Sequence, residues 1–195
     1  MNDTTATWMP ACIANCRLAL DSLEAQLPEI EKAAVLLVDT FRKGNKLLTA
    51  GNGGSAAEAM HMSEEAVGRF HDNRISLPAV SLTADGTALT CIGNDYGFDR
   101  VFSRQVEGLG KEGDLLVLFS TSGNGRNLDL AVEEARRKKM RVILLLGRDG
   151  GKLAGRGDVE IIIRSQETAR IQEAHQLLMH MLLEAVDRAF VSKES

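Results

Sequence analysis

Apolar positions in the first part of the chain return at helical spacing. Ile30, Ala33, Ala34, Leu37 and Phe41 fall on one face, and the stretch from Pro10 to Phe41 predicts two helices broken at Pro28. From residue 46 the pattern changes to short apolar runs closed by turn residues: Lys46–Ala50, Pro78–Leu82, Asp114–Phe119, Arg141–Leu146 and Val159–Ile163. These predict five strands. Helices are predicted near Ala56–Val67, Phe98–Leu109 and Leu128–Lys139, and a last one over about Thr168 to Phe190. Strands that alternate with helices imply a mostly parallel, doubly wound α/β sheet with both faces covered. No repeat, low-complexity tract or linker divides the chain, so one domain is expected over 1–195, with a helical segment at 1–45 and the α/β core and C-terminal helix at 46–195.

Charge and composition narrow the function classes. A formal charge of -4 argues against nucleic acid, because phosphate-backbone binding needs a concentrated basic face. The one dense basic run, Arg136-Arg137-Lys138-Lys139, ends a predicted helix, where cations suit the dipole. Cys12, Cys16 and Cys91 are too few and too dispersed for a disulfide framework, and no CxxC pair offers a thiolate metal site. The start at Met1-Asn2-Asp3 has no basic segment followed by an apolar stretch, and no apolar run approaches the roughly 20 residues of a membrane helix. A cytoplasmic protein with no membrane partner is expected.

In open α/β sheets, ligands bind outside the carboxyl ends of the strands. Three loops read there as unusual: Gly51-Asn52-Gly53-Gly54-Ser55, Gly93-Asn94-Asp95-Tyr96-Gly97 and Ser120-Thr121-Ser122-Gly123-Asn124. The first follows a strand and opens a helix, so its glycines let backbone N–H groups approach an anion at the positive helix end. Gly51-Asn52-Gly53-Gly54-Ser55-Ala56 also satisfies a relaxed dinucleotide fingerprint, but the acidic residue due about 20 positions on is out of place. Asp72 precedes the next strand and Asp85 lies beyond it. The Ser120 loop offers three hydroxyls, Asn124 and backbone amides, enough to surround a phosphate without a lysine; helix capping is the plainer reading of the same serines.

Two helices carry candidate chemistry. His61 and Glu65 stand four apart on the helix after the first glycine loop, which puts both on one face, where they could share a metal or form a surface ion pair. The last helix holds Gln172, Glu173, His175, Gln176 and His180 among Ile171, Leu177, Leu178 and Leu182, either as a solvent face or as a site. Gln172 and His180 are about 80° and roughly 12 Å apart on an ideal helix. A metal could take both from one chain only with both side chains extended, so ligation across a subunit boundary is easier, and a single-chain site would more readily join His61 and Glu65 to one of the two.

Together with Ala59-Met60-His61, Glu64-Glu65, Phe102-Ser103-Arg104, Gly147-Arg148-Asp149-Gly150-Gly151 and Arg170-Ile171-Gln172-Glu173-Ala174-His175, these loops make the chain resemble the bacterial phosphoheptose isomerases of the sugar isomerase (SIS) class over nearly its whole length. The resemblance implies a single SIS-type fold. It implies one zinc per subunit, held by His61, Glu65, Gln172 and His180, and a homotetramer with sites between subunits. It also implies a sugar phosphate bound by Asn52, Gly53, Gly54, Ser55, Glu65, Asn94, Asp95, Ser120, Thr121, Ser122, Gly125 and Gln172. The family usually has serine where Gly125 stands, and some members have aspartate where Ala169 lies.

The implied reaction converts sedoheptulose 7-phosphate to D-glycero-D-manno-heptose 7-phosphate for lipopolysaccharide core synthesis. Aldose–ketose interconversion through an enediol needs a base, an acid and oxyanion stabilisation. Glu65 is assigned as base and His180 as acid. A metal would polarise the carbonyl, although a zinc-bound carboxylate is a poorer base, which sets the two roles of Glu65 against each other. The same fold also serves as a tetrameric protein that binds the replication initiator; such proteins differ where this chain has His61 and His180. A sugar-phosphate sensing domain would need a DNA-binding segment, and a dinucleotide oxidoreductase would need the missing ribose acid.

Overall fold

The computed structural model describes residues 7–191, so residues 1–6, which include Met1-Asn2-Asp3, and 192–195 of the expected 1–195 domain lie outside the described residues. Two helices, α1 (Met9–Glu24) and α2 (Leu27–Arg42), precede strand β1 (Leu47–Gly51). Pro28 sits in the first turn of α2, where the missing N–H costs nothing. Then follow α3 (Gly54–Val67), β2 (Ala79–Ser81), α4 (Gly86–Tyr96), α5 (Ser103–Leu109), β3 (Leu115–Ser120), α6 (Arg126–Arg137), β4 (Arg141–Gly147), β5 (Val159–Ile163) and α7 (Thr168–Phe190).

All four strand pairings are parallel, in the order β2-β1-β3-β4-β5. Side chains that alternate along the strands feed two apolar layers. Leu47, Leu115, Val117, Phe119, Ile143 and Leu145 pack against α1, α2, α3 and α7. On the other face Leu48, Leu116, Leu118, Val142 and Leu144 pack against α5 and α6. Thr49 points a hydroxyl into the first layer, where it donates to the Ala59 carbonyl at 2.7 Å and shares a hydrogen bond with Ser63 Oγ. The doubly wound sheet, its five strands and the last helix agree with the sequence reading.

Two expectations change. The stretch Gly93–Gly97 is not a free loop after a strand: Gly93 to Tyr96 form the end of α4, a helix that the sequence reading lacks. Asp85 starts it by accepting from the backbone N–H of Thr87 and Ala88, and only Leu89 and Ile92 of α4 reach the core, half-buried, so apolar periodicity is too short to signal it. The helix predicted over Phe98–Leu109 is broken, with a 3₁₀ turn at Phe98–Arg100 before α5. Among the described residues, no helix is long and apolar enough to cross a membrane.

Candidate active site

The strand order reverses between β1 and β3, so the loops after these two strands diverge and leave a crevice at their carboxyl ends. Asn52, Gly53 and Gly54 are exposed there and Ser55 is buried. Gly53 has φ +58°, a backbone that favours glycine. In the loop after β3, Ser120 Oγ accepts from the Gly123 N–H at 3.0 Å and Ser122 Oγ accepts from the Asn124 N–H at 3.3 Å. No side chain caps α6, whose N-cap is Gly125, so the serines of this loop are not its caps. Gly123, at φ +63°, lies against the Gly150 carbonyl, and Gly151 lies against the Ser122 carbonyl; a Cβ at either would overlap its neighbour. The loop after β4 thereby braces the loop after β3. Asn52 and Asn127 exchange side-chain amide hydrogen bonds at 3.0 and 2.9 Å and tie the two sides of the crevice together.

The second part of the site lies between α3 and α7. His61 Nε2 is 3.3 Å from Glu65 Oε1, and Glu64 Oε1 is 3.9 Å from the same nitrogen. The His61 and His180 rings stand edge to face with centroids 5.3 Å apart. Between them the Gln176 amide nitrogen lies 2.8 Å from His61 Nδ1 and 2.9 Å from His180 Nε2. Gln172, one turn earlier on α7, packs its amide over Gly54 at the mouth of the glycine loop, where a Cβ would overlap it. Gln172, Gln176 and His180 therefore form one polar stripe at i, i+4 and i+8 that runs from the loops to His61 and Glu65. Burial, and next the neighbouring His61, push the His180 pKa below its ordinary value, with Glu65 pulling the other way. The neutral ring is favoured.

A family model described as the SIS domain matches residues 13–147. The phosphoheptose isomerase of Geobacter sp. (strain M21) is 49% identical over 92% of this chain and 94% of its own. This chain belongs to the SIS domain family, among the phosphoheptose isomerases. The structure of a phosphoheptose isomerase from Neisseria gonorrhoeae matches with a TM-score of 0.86 at 44% identity, over 92% of this chain and 96% of that one. One from Francisella tularensis gives 0.87 at 36% identity, over 92% and 95%.

For this phosphoheptose isomerase family member the implied cation can be tested against the donors. Two ligands at about 2.0–2.1 Å around a tetrahedral ion stand about 3.3–3.4 Å apart, which the His61–Glu65 separation of 3.3 Å matches. Among the described residues, His61, Glu64 and Glu65 are the set of three His, Cys, Asp or Glu with ligand atoms within 4.8 Å of one another. His61 and Glu65 fit a cation; His180 adjoins them through Gln176, and Gln172 lies at Gly54.

The remaining site expectations fall as follows. Asn94 and Asp95 are exposed on α4, bonded to each other at 2.7 Å. Thr121 and Ser122 are half-buried in the β3 loop. Gly125 has no hydroxyl to offer, and a Cβ there would lie 3.1 Å from Asn127 Oδ1 and 3.2 Å from Asn52 Nδ2. The Asp85 carboxylate is engaged as the α4 cap, away from a ribose role.

Sequence reasoning missed Gln176 as a bridge and Asn127 as a tie; helical spacing from His180 could have found the first, and nothing local marks the second. The solvent-face reading of His175 is incorrect: the residue is fully buried and its Nε2 lies 3.1 Å from the Leu146 carbonyl. That carbonyl accepts the ring's hydrogen at the end of β4 and fixes the middle of α7 on the sheet. Below the cluster, Asp187 accepts from the His71 and Asp72 N–H groups and pairs with the buried Arg74 at 2.8 Å, while Arg74 also donates to the Glu65 carbonyl at 2.7 Å. Burial alone would raise the Asp187 pKa, but the His71 N–H, Arg74 and the Asp72 N–H outweigh it and hold it below the ordinary carboxylate range.

Proposed function

We propose that this isomerase interconverts sedoheptulose 7-phosphate and D-glycero-D-manno-heptose 7-phosphate through an enediol, supplying a heptose for lipopolysaccharide core synthesis. The observation that supports it best is the meeting of His61, Glu65 and His180 from two helices far apart in the chain, at the end of a stripe that begins over the glycine loop. The loops after β1 and β3 take the phosphate end of the sugar with backbone amides and hydroxyls, and no lysine is needed. Glu65 removes a proton from C1 of the ketose and returns it to C2. His180 gives a proton to the C2 oxygen and recovers one from the C1 hydroxyl, so the aldose forms with no net change in protons. A zinc ion held by His61, Glu65, Gln172 and His180 would polarise the carbonyl as a Lewis acid.

The reading includes a homotetramer in the cytoplasm, with Asn94 and Asp95 reaching a neighbouring copy's site. In its favour, α4 has no fully buried residue in the single chain, packing on the core only through the half-buried Leu89 and Ile92, and Tyr96 at its end and Phe98 after it are exposed. An assay of sedoheptulose 7-phosphate conversion tests the proposal, with zinc-loaded wild type run beside Glu65→Gln and His180→Gln. Turnover by wild type and a loss of about 10³-fold in each variant is expected. An inert, folded, metal-bound wild type would overturn it.

A further inference from the structure

Between α3 and β2 the chain runs over residues 68–78 with no regular structure, and in that stretch only Phe70, Arg74 and Leu77 are not exposed. An aromatic side chain in such a loop leaves water only if the loop holds it against another surface. Phe70 lies at the margin of the apolar layer beside α2 and α7, and its ring meets two imidazoles. His71 stacks on it with centroids 4.1 Å apart and planes 12° apart, and His180 lies 5.3 Å away, inclined by 31°. His180 in turn meets His61 edge to face at 5.3 Å. Four rings therefore follow one another from the exposed His71 into the site.

The loop is gripped just beyond Phe70. Asp187 accepts from the N–H of His71 at 2.8 Å and of Asp72 at 3.2 Å, the two residues that follow the ring. Arg74 pairs with the same carboxylate and donates to the Glu65 and Ala66 carbonyls at the end of α3. Asp187 stands seven residues, about two turns, beyond His180 on α7, so the two project from one face of that helix. The carboxylate thus holds the loop against the face that carries His180, and Phe70 is the side chain of the loop that reaches the ring.

A histidine ring turns about a broad, roughly two-fold torsion, so its own rotamer does not fix its plane and a neighbour must. Gln176 touches His180 at one nitrogen, which leaves the plane free to swing about that contact. Phe70 offers a whole ring, at a separation where aromatic pairs attract with preferred geometry. We propose that Phe70, held by the grip of Asp187 on its loop, is a positioning residue that sets the plane of the His180 ring and hence the direction in which its nitrogens face His61 and Glu65. The plane is set by contact, whatever protons the rings carry. The consequence for turnover rests on the isomerase reading above; the consequence for the ring does not.

Proton NMR of the full-length, metal-free protein should show nuclear Overhauser contacts between the ring hydrogens of Phe70 and His180. Three variants then separate positioning from packing: Phe70→Leu keeps apolar bulk without a ring, Phe70→Tyr keeps the ring, and Phe41→Leu removes a ring from the same apolar layer where Phe41 meets Phe190 at 6.3 Å. Phe70→Leu should bind zinc ions about tenfold more weakly by calorimetry. It should lower kcat about tenfold while KM for sedoheptulose 7-phosphate stays within about threefold. Phe70→Tyr should keep wild-type zinc affinity and kcat, and Phe41→Leu should lose stability alone. Circular dichroism checks folding, and the wild-type Overhauser contacts decide the placement of the ring whether or not Phe70→Leu folds. Their absence, or a folded Phe70→Leu that equals wild type in zinc affinity and kcat, would overturn the inference. A wild type inert toward sugar phosphates whose zinc affinity still depends on the ring at position 70 would defeat the isomerase reading alone, and an active enzyme indifferent to that ring would defeat only the positioning role.

Discussion

The two halves of the crevice are built from different materials. The loops after β1 and β3 take their shape from backbone: Gly123 and Gly151 let loop pack on loop with no room for a Cβ, and Gly53 holds a positive φ. The α3–α7 half is made of half-buried side chains on two helices, and its groups touch mainly one another. A change at one of those glycines therefore strains the fold itself, whereas a change at Glu65 or His180 removes a polar group from a scaffold that stands without it. The scaffold of the second half is secured lower down, where Arg74 and Asp187 join the end of α3 to α7.

That anchor offers the largest test of the contrast. Asp187→Asn leaves a buried guanidinium without its counter-charge and should cost about 4 kcal/mol in urea unfolding at neutral pH. The pH dependence has a definite sign. The folded-state pKa of Asp187 is depressed, so its contribution is full above the unfolded carboxylate value of about 3.9 and is lost as pH falls through the folded value. Wild type and variant should accordingly converge in stability below about pH 4. A constant gap across that range would remove Asp187 as the anchor.

The glycine half gives the next effect. Gly123→Ala combines a positive φ with a Cβ driven into the Gly150 carbonyl and should cost about 3 kcal/mol, read from the urea midpoint. Gly53→Ala has a similar φ but open space around it, so about 1–2 kcal/mol is expected. Equal costs would mean that loop-on-loop packing is not what fixes the β3 loop.

The same contrast explains what the sequence made legible. Glycine and serine clusters at strand ends are local signals, and the apolar strands place them at the carboxyl edge, so the loop half could be read from short windows. His61 and Glu65 were legible as an i,i+4 pair. Gln176 was not, because its meaning depends on a ring 115 residues away, and a polar residue on an amphipathic helix looks like solvent face until the partner helix is placed. Helix α4 escaped for the opposite reason: it meets the core only through the half-buried Leu89 and Ile92, too few for a helical pattern, and its one clear mark is the Asp85 cap. His175 fits neither open reading, solvent face or site, because a buried histidine bonded to a carbonyl has the same sequence signature as an exposed one.

The division of labour between the halves is tested most directly by steady-state kinetics on sedoheptulose 7-phosphate with Thr121→Val and Glu65→Gln side by side. Thr121→Val, which removes one hydroxyl from the β3 loop, should raise KM about tenfold and change kcat by less than about threefold, the loss of one hydrogen bond to a charged group. Glu65→Gln should lower kcat by about 10³-fold with little change in KM. If Thr121→Val instead lowers kcat as Glu65→Gln does, or Glu65→Gln changes only KM, the loops do not hold the remote end of the sugar and the carboxylate does not act at the reacting one.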